Sequence, residues 1–99
     1  MYMKYPSLET KTFTIELQLW KDGVENDFYY IAVCPELNLN ITTDTQLEAV
    51  EDMKEVVRDV IENLTEEQLL GYGIKMVPNF DLDNLIFDVR ASGYNKMLA

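Results

Sequence analysis

The stretch CPELNLNITTDTQLEAVEDMKEVVRDVIE, residues 34–62, decides the predicted fold. A proline that ends one strand is followed by alternating apolar and polar residues and then by an amphipathic helix. Leu37, Leu39 and Ile41 share one face of the alternating run, which predicts a third strand. Thr45 and Glu48 have the spacing of a capping box, so the helix is predicted to begin directly after Thr45.

The predicted helix has two opposite faces. Its apolar stripe recurs at steps of three and four residues and consists of Leu47, Val50, Met53, Val57, Val60, Ile61 and Leu64. On the other side lies a row of carboxylates, called the acidic row below: Glu48, Asp52, Glu55, Asp59 and Glu62. Lys54 and Arg58 are placed at its edge, where we expect them to relieve part of the repulsion. The acidic row indicates either a solvated face or a contact surface for a basic partner.

Two strands are predicted before this stretch. TFTIELQLW (12–20) alternates with period two, and FYYIAVC (28–34) follows after a turn at Asp22-Gly23, so the two form a predicted antiparallel hairpin. After the helix, IKMV (74–77) predicts a short fourth strand, and LIFDV (85–89) predicts another strand or an arm. The fold class is therefore α+β, with a three-stranded antiparallel sheet, one long helix on one face and a further short strand, in the order β-β-β-α-β.

A chain of 99 residues predicts one domain, with a core at 12–78 and a C-terminal arm at 79–99. Eight Lys and Arg against eighteen Asp and Glu leave a formal net charge of −10. Such a chain is expected to bind nucleic acid poorly and to attract basic proteins. It lacks both an apolar run of roughly 20 residues and a signal peptide, which predicts a cytoplasmic protein.

The chemistry open to the chain is narrow. It contains no histidine, which excludes an imidazole base or a histidine metal ligand. Its single cysteine, Cys34, lies in an apolar run and is predicted to be a buried thiol. A carboxylate cluster that binds magnesium is the remaining catalytic route, and its candidate residues are Glu16, Glu36, Asp44 and Glu48. Roles in turns and in helix capping explain these residues as well. We therefore predict that the protein is not an enzyme and binds no metal or cofactor.

The order of these features resembles the HicB family of antitoxins. The residues that carry the resemblance are Pro35, Glu36, Leu37, Asp44, Thr45, Glu48 and Ala49. The resemblance implies an incomplete ribonuclease H fold, binding and masking of a small basic ribonuclease toxin of the HicA type, and assembly as a homodimer or homotetramer. Many HicB proteins also carry a C-terminal DNA-binding module. The residues after Pro78 are too few for a helix-turn-helix, so operator binding is not expected.

The predicted function is that of a HicB-like antitoxin in a toxin-antitoxin system, without a DNA-binding module. Its predicted partner contacts are Asp52, Glu55, Asp59 and Glu62 of the acidic row together with Tyr29, an aromatic of the second strand. Two alternatives stay open. One is an orphan HicB-like, homo-oligomeric binding module with no toxin; the other, ranked last, is a magnesium-dependent nuclease of the ribonuclease H type.

Overall fold

The structure is a computed structural model that describes residues 5–21, 23–24 and 27–94, with side chains up to 91. Its elements in chain order are β1 (Thr12–Lys21), β2 (Phe28–Cys34), β3 (Leu39–Thr43), α1 (Gln46–Asn63), α2 (Glu66–Gly71) and β4 (Ile86–Tyr94). The strands form one sheet in the order β3-β2-β1-β4, and α1 packs across β1, β2 and β3. The predicted α+β class, with one long helix on one face of the sheet, is confirmed.

The sheet has four strands and is mixed. Antiparallel pairing joins β1 to β2 and β2 to β3, whereas β4 runs parallel to β1 from Thr12↔Ile86 to Leu19↔Tyr94. A parallel neighbour requires a crossover connection, and the segment containing α1 and α2 supplies it. The expectation of three sheet strands plus one short strand is therefore corrected to four, and the fourth lies within the predicted arm.

The strand predicted at 74–77 is wrong. Lys75 forms only an isolated bridge with Ser7. The backbone groups of this segment are taken by other partners, since the N–H of Ile74 donates to the Leu69 carbonyl at 3.0 Å and that of Lys75 to the Pro6 carbonyl at 2.8 Å. The side chain of Ile74 is fully buried, which explains its apolar character without a strand.

The start of α1 follows the prediction in part. Thr45 is the N-cap, and its hydroxyl accepts from the backbone N–H of Glu48 at 3.2 Å. The Glu48 carboxylate, however, accepts from the Thr45 hydroxyl at 2.9 Å instead of from the Thr45 backbone N–H. The cap is thus confirmed, while the reciprocal half of the capping box is not formed there. A complete box occurs at Thr65 and Gln68, where α2 begins.

The core lies between α1 and the sheet. Its buried apolar residues are Leu8, Phe13, Ile15, Leu17, Ala32, Cys34, Leu37, Ala49, Met53, Val57, Ile61, Leu69, Ile74 and Leu85. The predicted apolar stripe is confirmed at Met53, Val57 and Ile61 but not at Leu47, which is 71% exposed. Ala49 is the buried residue of the first turn, and a separation of two residues turns Leu47 about 200° away from it around the helix.

None of the helices among the described residues is both long enough and apolar enough to cross a bilayer.

Candidate protein-binding site

A surface groove of about 520 Å³ runs between α1 and the edge strand β3. Its lining residues are Ile41, Thr42, Thr43, Asp52, Glu55, Val56 and Asp59. The three carboxylate residues belong to the acidic row and are exposed. Because steps of three and four residues return to the same side of a helix, these carboxylates form one wall of the groove, and β3 forms the other. We call this feature the acidic groove.

The β3 wall is a free sheet edge. In the described part of the chain, β3 is hydrogen-bonded to β2 alone, so its outer backbone N–H and C=O groups have no strand beside them. An edge of this kind can accept an extended segment of another chain through main-chain hydrogen bonds. Ile41 and Thr43 occupy alternate positions of β3 and are half-buried. The acidic groove therefore combines carboxylates, main-chain donors and acceptors, and a small apolar floor.

The two cations expected at the edge of the acidic row face other partners. The ammonium of Lys54 lies 5.8 Å from the centre of the Phe87 ring. Arg58 directs its Nε towards Asp83 at 3.7 Å, a separation too long for a hydrogen bond. Both contacts draw positive charge towards β4 and the turn before it. Lys54 and Arg58 were expected to reduce the repulsion between the carboxylates of the acidic row, but they contact Phe87 and Asp83 instead. The groove therefore keeps its negative charge.

The other residues predicted to contact a partner do not line the groove. Glu62 is exposed in the last turn of α1. Tyr29 lies on the sheet face away from α1, since the adjacent Tyr30 packs against the core. The groove therefore gathers three of the predicted contact residues and leaves Tyr29 on another surface.

Sequence reasoning missed the non-acidic lining of the groove. The alternating run predicts a strand that contains Ile41 but does not extend to Thr43, and nothing in its spacing shows that β3 is an edge. Val56 is half-buried beside them. The only sequence signal was the short connection from β3 to α1, which requires the strand and the helix to lie close together.

Glu36, which lies just after the C-terminal end of β2, has a structural role. Pro35–Leu37 forms a single 3-10 turn, and β2 pairs with β1 only as far as Glu16↔Val33. Beyond that point the Glu36 carboxylate accepts from the Thr14 backbone N–H at 2.8 Å and from the Thr14 hydroxyl at 2.7 Å. It thus replaces the strand acceptor that β2 no longer provides. Leu37, next in the turn, is buried in the core.

The surroundings of Cys34 and Glu36 shift their proton affinities in opposite directions. Burial raises the pKa of the Cys34 thiol to about 11, and its Sγ donates to Glu36 Oε1 at 3.6 Å. Partial burial also acts to raise the pKa of Glu36, but the hydrogen bonds from Thr14 outweigh it and hold that pKa below its usual value. Cys34 is fully buried, as predicted, and at neutral pH it is a protonated thiol.

The four carboxylates considered as magnesium ligands occupy different places. Glu16 lies on β1, Glu36 is hydrogen-bonded to Thr14, and Glu48 is hydrogen-bonded to Thr45 at the start of α1. Asp44 is exposed just before the Thr45 cap. Across residues 5–21, 23–24 and 27–94, no three acidic or cysteine side chains are placed together as a metal site. The structure therefore does not bring these four candidate carboxylates together.

Comparison of the chain with protein-family models, with curated proteins and with solved structures found no match. The resemblance to HicB antitoxins accordingly remains a prediction based on the residues between Pro35 and Ala49. The acidic groove is interpreted from its own geometry and charge.

Glu36→Gln is expected to destabilise the protein by about 1 kcal/mol at neutral pH, because an amide nitrogen cannot accept from Thr14. Solvent screening limits this loss, since the carboxylate is only partly buried. A depressed folded pKa gives stability that is present above the unfolded pKa, about 4.3 for glutamate, and is lost as the pH falls through the folded pKa. Urea unfolding across this acid range should therefore show the wild type and the variant converging.

Glu16→Gln is the matched control for this experiment. It removes the same charge from β1 but leaves both hydrogen bonds between Glu36 and Thr14 intact. We expect Glu16→Gln to lose stability in acid as the wild type does, whereas Glu36→Gln should not show that loss. If both variants reduced the acid dependence equally, general charge would explain the effect and the assigned role of Glu36 would be wrong.

Proposed function

We propose that this chain acts as an antitoxin-like protein that binds and masks a small basic ribonuclease. The observation that carries the proposal is the acidic groove, in which Asp52, Glu55 and Asp59 lie beside a free strand edge. The net charge of −10 and the resemblance of residues 35–49 to HicB antitoxins support it further. A partner of the HicA type follows from that resemblance.

The groove suits a positively charged partner for two physical reasons. Exposed carboxylates in a row create a negative potential that speeds encounter with a basic surface, and added salt screens this effect. The free edge of β3 supplies main-chain hydrogen bonds, which hold an extended segment in register once it arrives. Charge would thus control the association rate, and strand pairing would slow dissociation. A ribonuclease held in this way would lose access to RNA if its basic RNA-binding surface were the one bound.

The test begins with the full chain carrying an affinity tag in its native cell. We expect purification at low salt to recover a small basic protein that high salt releases, and mass spectrometry to identify it. The recovered protein, once separated, should cleave RNA, and adding back the purified chain should suppress that cleavage.

Three outcomes would reject the proposal. Recovery of the tagged chain with only copies of itself would favour the orphan homo-oligomeric module. A recovered basic protein that cleaves RNA equally well with and without the chain would exclude masking. Magnesium-dependent cleavage of an RNA–DNA hybrid by the purified chain alone would instead support the nuclease alternative.

A further inference from the structure

The second free edge of the sheet is β4. It spans Ile86–Tyr94, and in the described structure its only strand neighbour is β1. It is longer than β3, and it contains no proline to interrupt an added strand. Two of its apolar side chains, Ile86 at 43% and Val89 at 44%, are strongly exposed. A long edge with exposed apolar residues is a surface that pairs readily with another strand.

The register with β1 assigns the two faces of β4. Paired residues of parallel strands point to the same side of a sheet. Val89 pairs with Ile15, which is fully buried, so Val89 belongs to the face that carries α1. Asp88 and Arg90 point to the opposite face. α1 packs mainly on β1, β2 and β3, and Val89 remains exposed at the edge of the sheet.

We propose that two copies of this chain associate by pairing their β4 strands antiparallel, with Val89 at the two-fold axis. The two sheets then become one continuous sheet with both copies of α1 on the same face. A two-fold axis perpendicular to a sheet gives this arrangement, and it places residues of the same face opposite each other. Val89 therefore lies opposite the partner's Val89, and their exposed side chains cover each other.

The charges on the other face select this register. Centred on Val89, the pairing sets Asp88 opposite the partner's Arg90, and Arg90 opposite the partner's Asp88. Within one chain these two residues already form an ion pair of 2.7 Å, so the dimer would hold four charges at the corners of a rectangle, with opposite signs at neighbouring corners. Centring the pairing on Asp88 or on Arg90 would place like charges directly opposite each other, which destabilises strand pairing. Charge complementarity thus favours a second copy at one defined register.

This surface is separate from the acidic groove. The strand order β3-β2-β1-β4 places β3 and β4 at opposite edges of the sheet, so a β4 dimer leaves both grooves open. Self-association through β4 and binding of a basic protein can therefore be tested independently of each other.

The first test is disulfide cross-linking of the full chain. In the proposed register, the Cβ atoms of residue 89 in the two copies lie about 4.5 to 5.5 Å apart, so Val89→Cys should form a covalent dimer on mild oxidation. Ala91→Cys is the matched control, because the two copies of residue 91 would be offset by roughly 13 Å along the strands. The native Cys34 is fully buried and is not expected to cross-link.

The second test reverses the charges. Either single variant, Asp88→Arg or Arg90→Asp, creates two pairs of like charges across the dimer interface. Each should weaken dimerisation on the order of tenfold, as measured by sedimentation equilibrium. The double variant Asp88→Arg with Arg90→Asp restores both pairs and should recover the wild-type affinity. Thermal unfolding followed by circular dichroism would verify that every variant is folded.

A wild-type chain that stays monomeric at all concentrations measured would overturn the inference. It would also be overturned if cysteine at 91 linked as efficiently as cysteine at 89, or if the double charge reversal dimerised as weakly as the single ones. A stable dimer that none of these changes affects would show that the copies meet through a different surface.

Discussion

Phe13→Ala is expected to destabilise the protein by about 3 to 5 kcal/mol, a large part of the roughly 5 to 15 kcal/mol that typically stabilises a domain. Phe13 is fully buried on β1, and its ring centre lies 6.2 Å from that of Phe87 on β4. Truncation would leave a cavity where β1, β4 and α1 meet. Urea unfolding followed by circular dichroism would measure the loss as a lower transition midpoint.

Leu47→Ala is the control for this loss. Leu47 is 71% exposed in the first turn of α1, so its truncation should change the stability by no more than about 0.5 kcal/mol. Phe13→Leu, which keeps part of the buried volume, should fall between the two. If Phe13→Ala cost no more than Leu47→Ala, the placement of Phe13 in the core would be wrong.

Neutralising the acidic groove is expected to have the largest functional effect. The triple variant Asp52→Asn, Glu55→Gln, Asp59→Asn keeps the size of each side chain while removing three negative charges. Since electrostatic steering changes association rates by about 10 to 1,000-fold, we expect the triple variant to associate at least about tenfold more slowly with the basic ribonuclease recovered by co-purification. Stopped-flow or surface-based kinetics at several salt concentrations would measure the rate.

The matched control removes the same number of charges elsewhere. Glu9, Glu51 and Glu67 are exposed and do not line the acidic groove, so their replacement by glutamine changes the net charge equally. We expect this control to keep most of the wild-type association rate and its decline with salt. Equal slowing by both triple variants would show that net charge, not the groove, recruits the partner.

Local patterns predicted much of this fold because they depend on neighbouring residues. Period-two alternation located β1 and β2 within one residue, and Pro35 marked the end of β2. The hydroxyl of Thr45 located the start of α1. In each case the deciding interaction lies within a few positions in the sequence, where propensity and spacing are informative.

The secondary-structure predictions failed or stayed open where the structure of a segment depends on contacts with residues distant in the sequence. The segment 74–77 has the composition of a strand, yet Pro6 and Leu69 occupy its backbone groups. The pattern of residues 85–89 predicts either a strand or an arm, because the pairing of β4 depends on β1, which is distant in the sequence. Such long-range choices have no local signature.

The candidate site shows the same difference between features that local spacing predicts and features that depend on distant contacts. The spacing of Asp52, Glu55 and Asp59 was sufficient to place them together, and the structure places them beside β3. The direction of Lys54 depends instead on its contact with Phe87, which belongs to β4. The partner of Glu36 is Thr14, from another strand. Sequence spacing identified the carboxylates that share a helix face, but it could not identify their tertiary partners.

The parallel pairing of β1 with β4 also sets the order of events during synthesis. Thr12 pairs with Ile86, so β1 lacks one of its two strand neighbours until Ile86 has left the ribosome. Until then, β1, β2 and β3 can form only an incomplete sheet, with β1 as an exposed edge. Contacts between such distant residues slow folding, because a long loop must close before they can form. We therefore expect β4 to be the last strand to join the sheet.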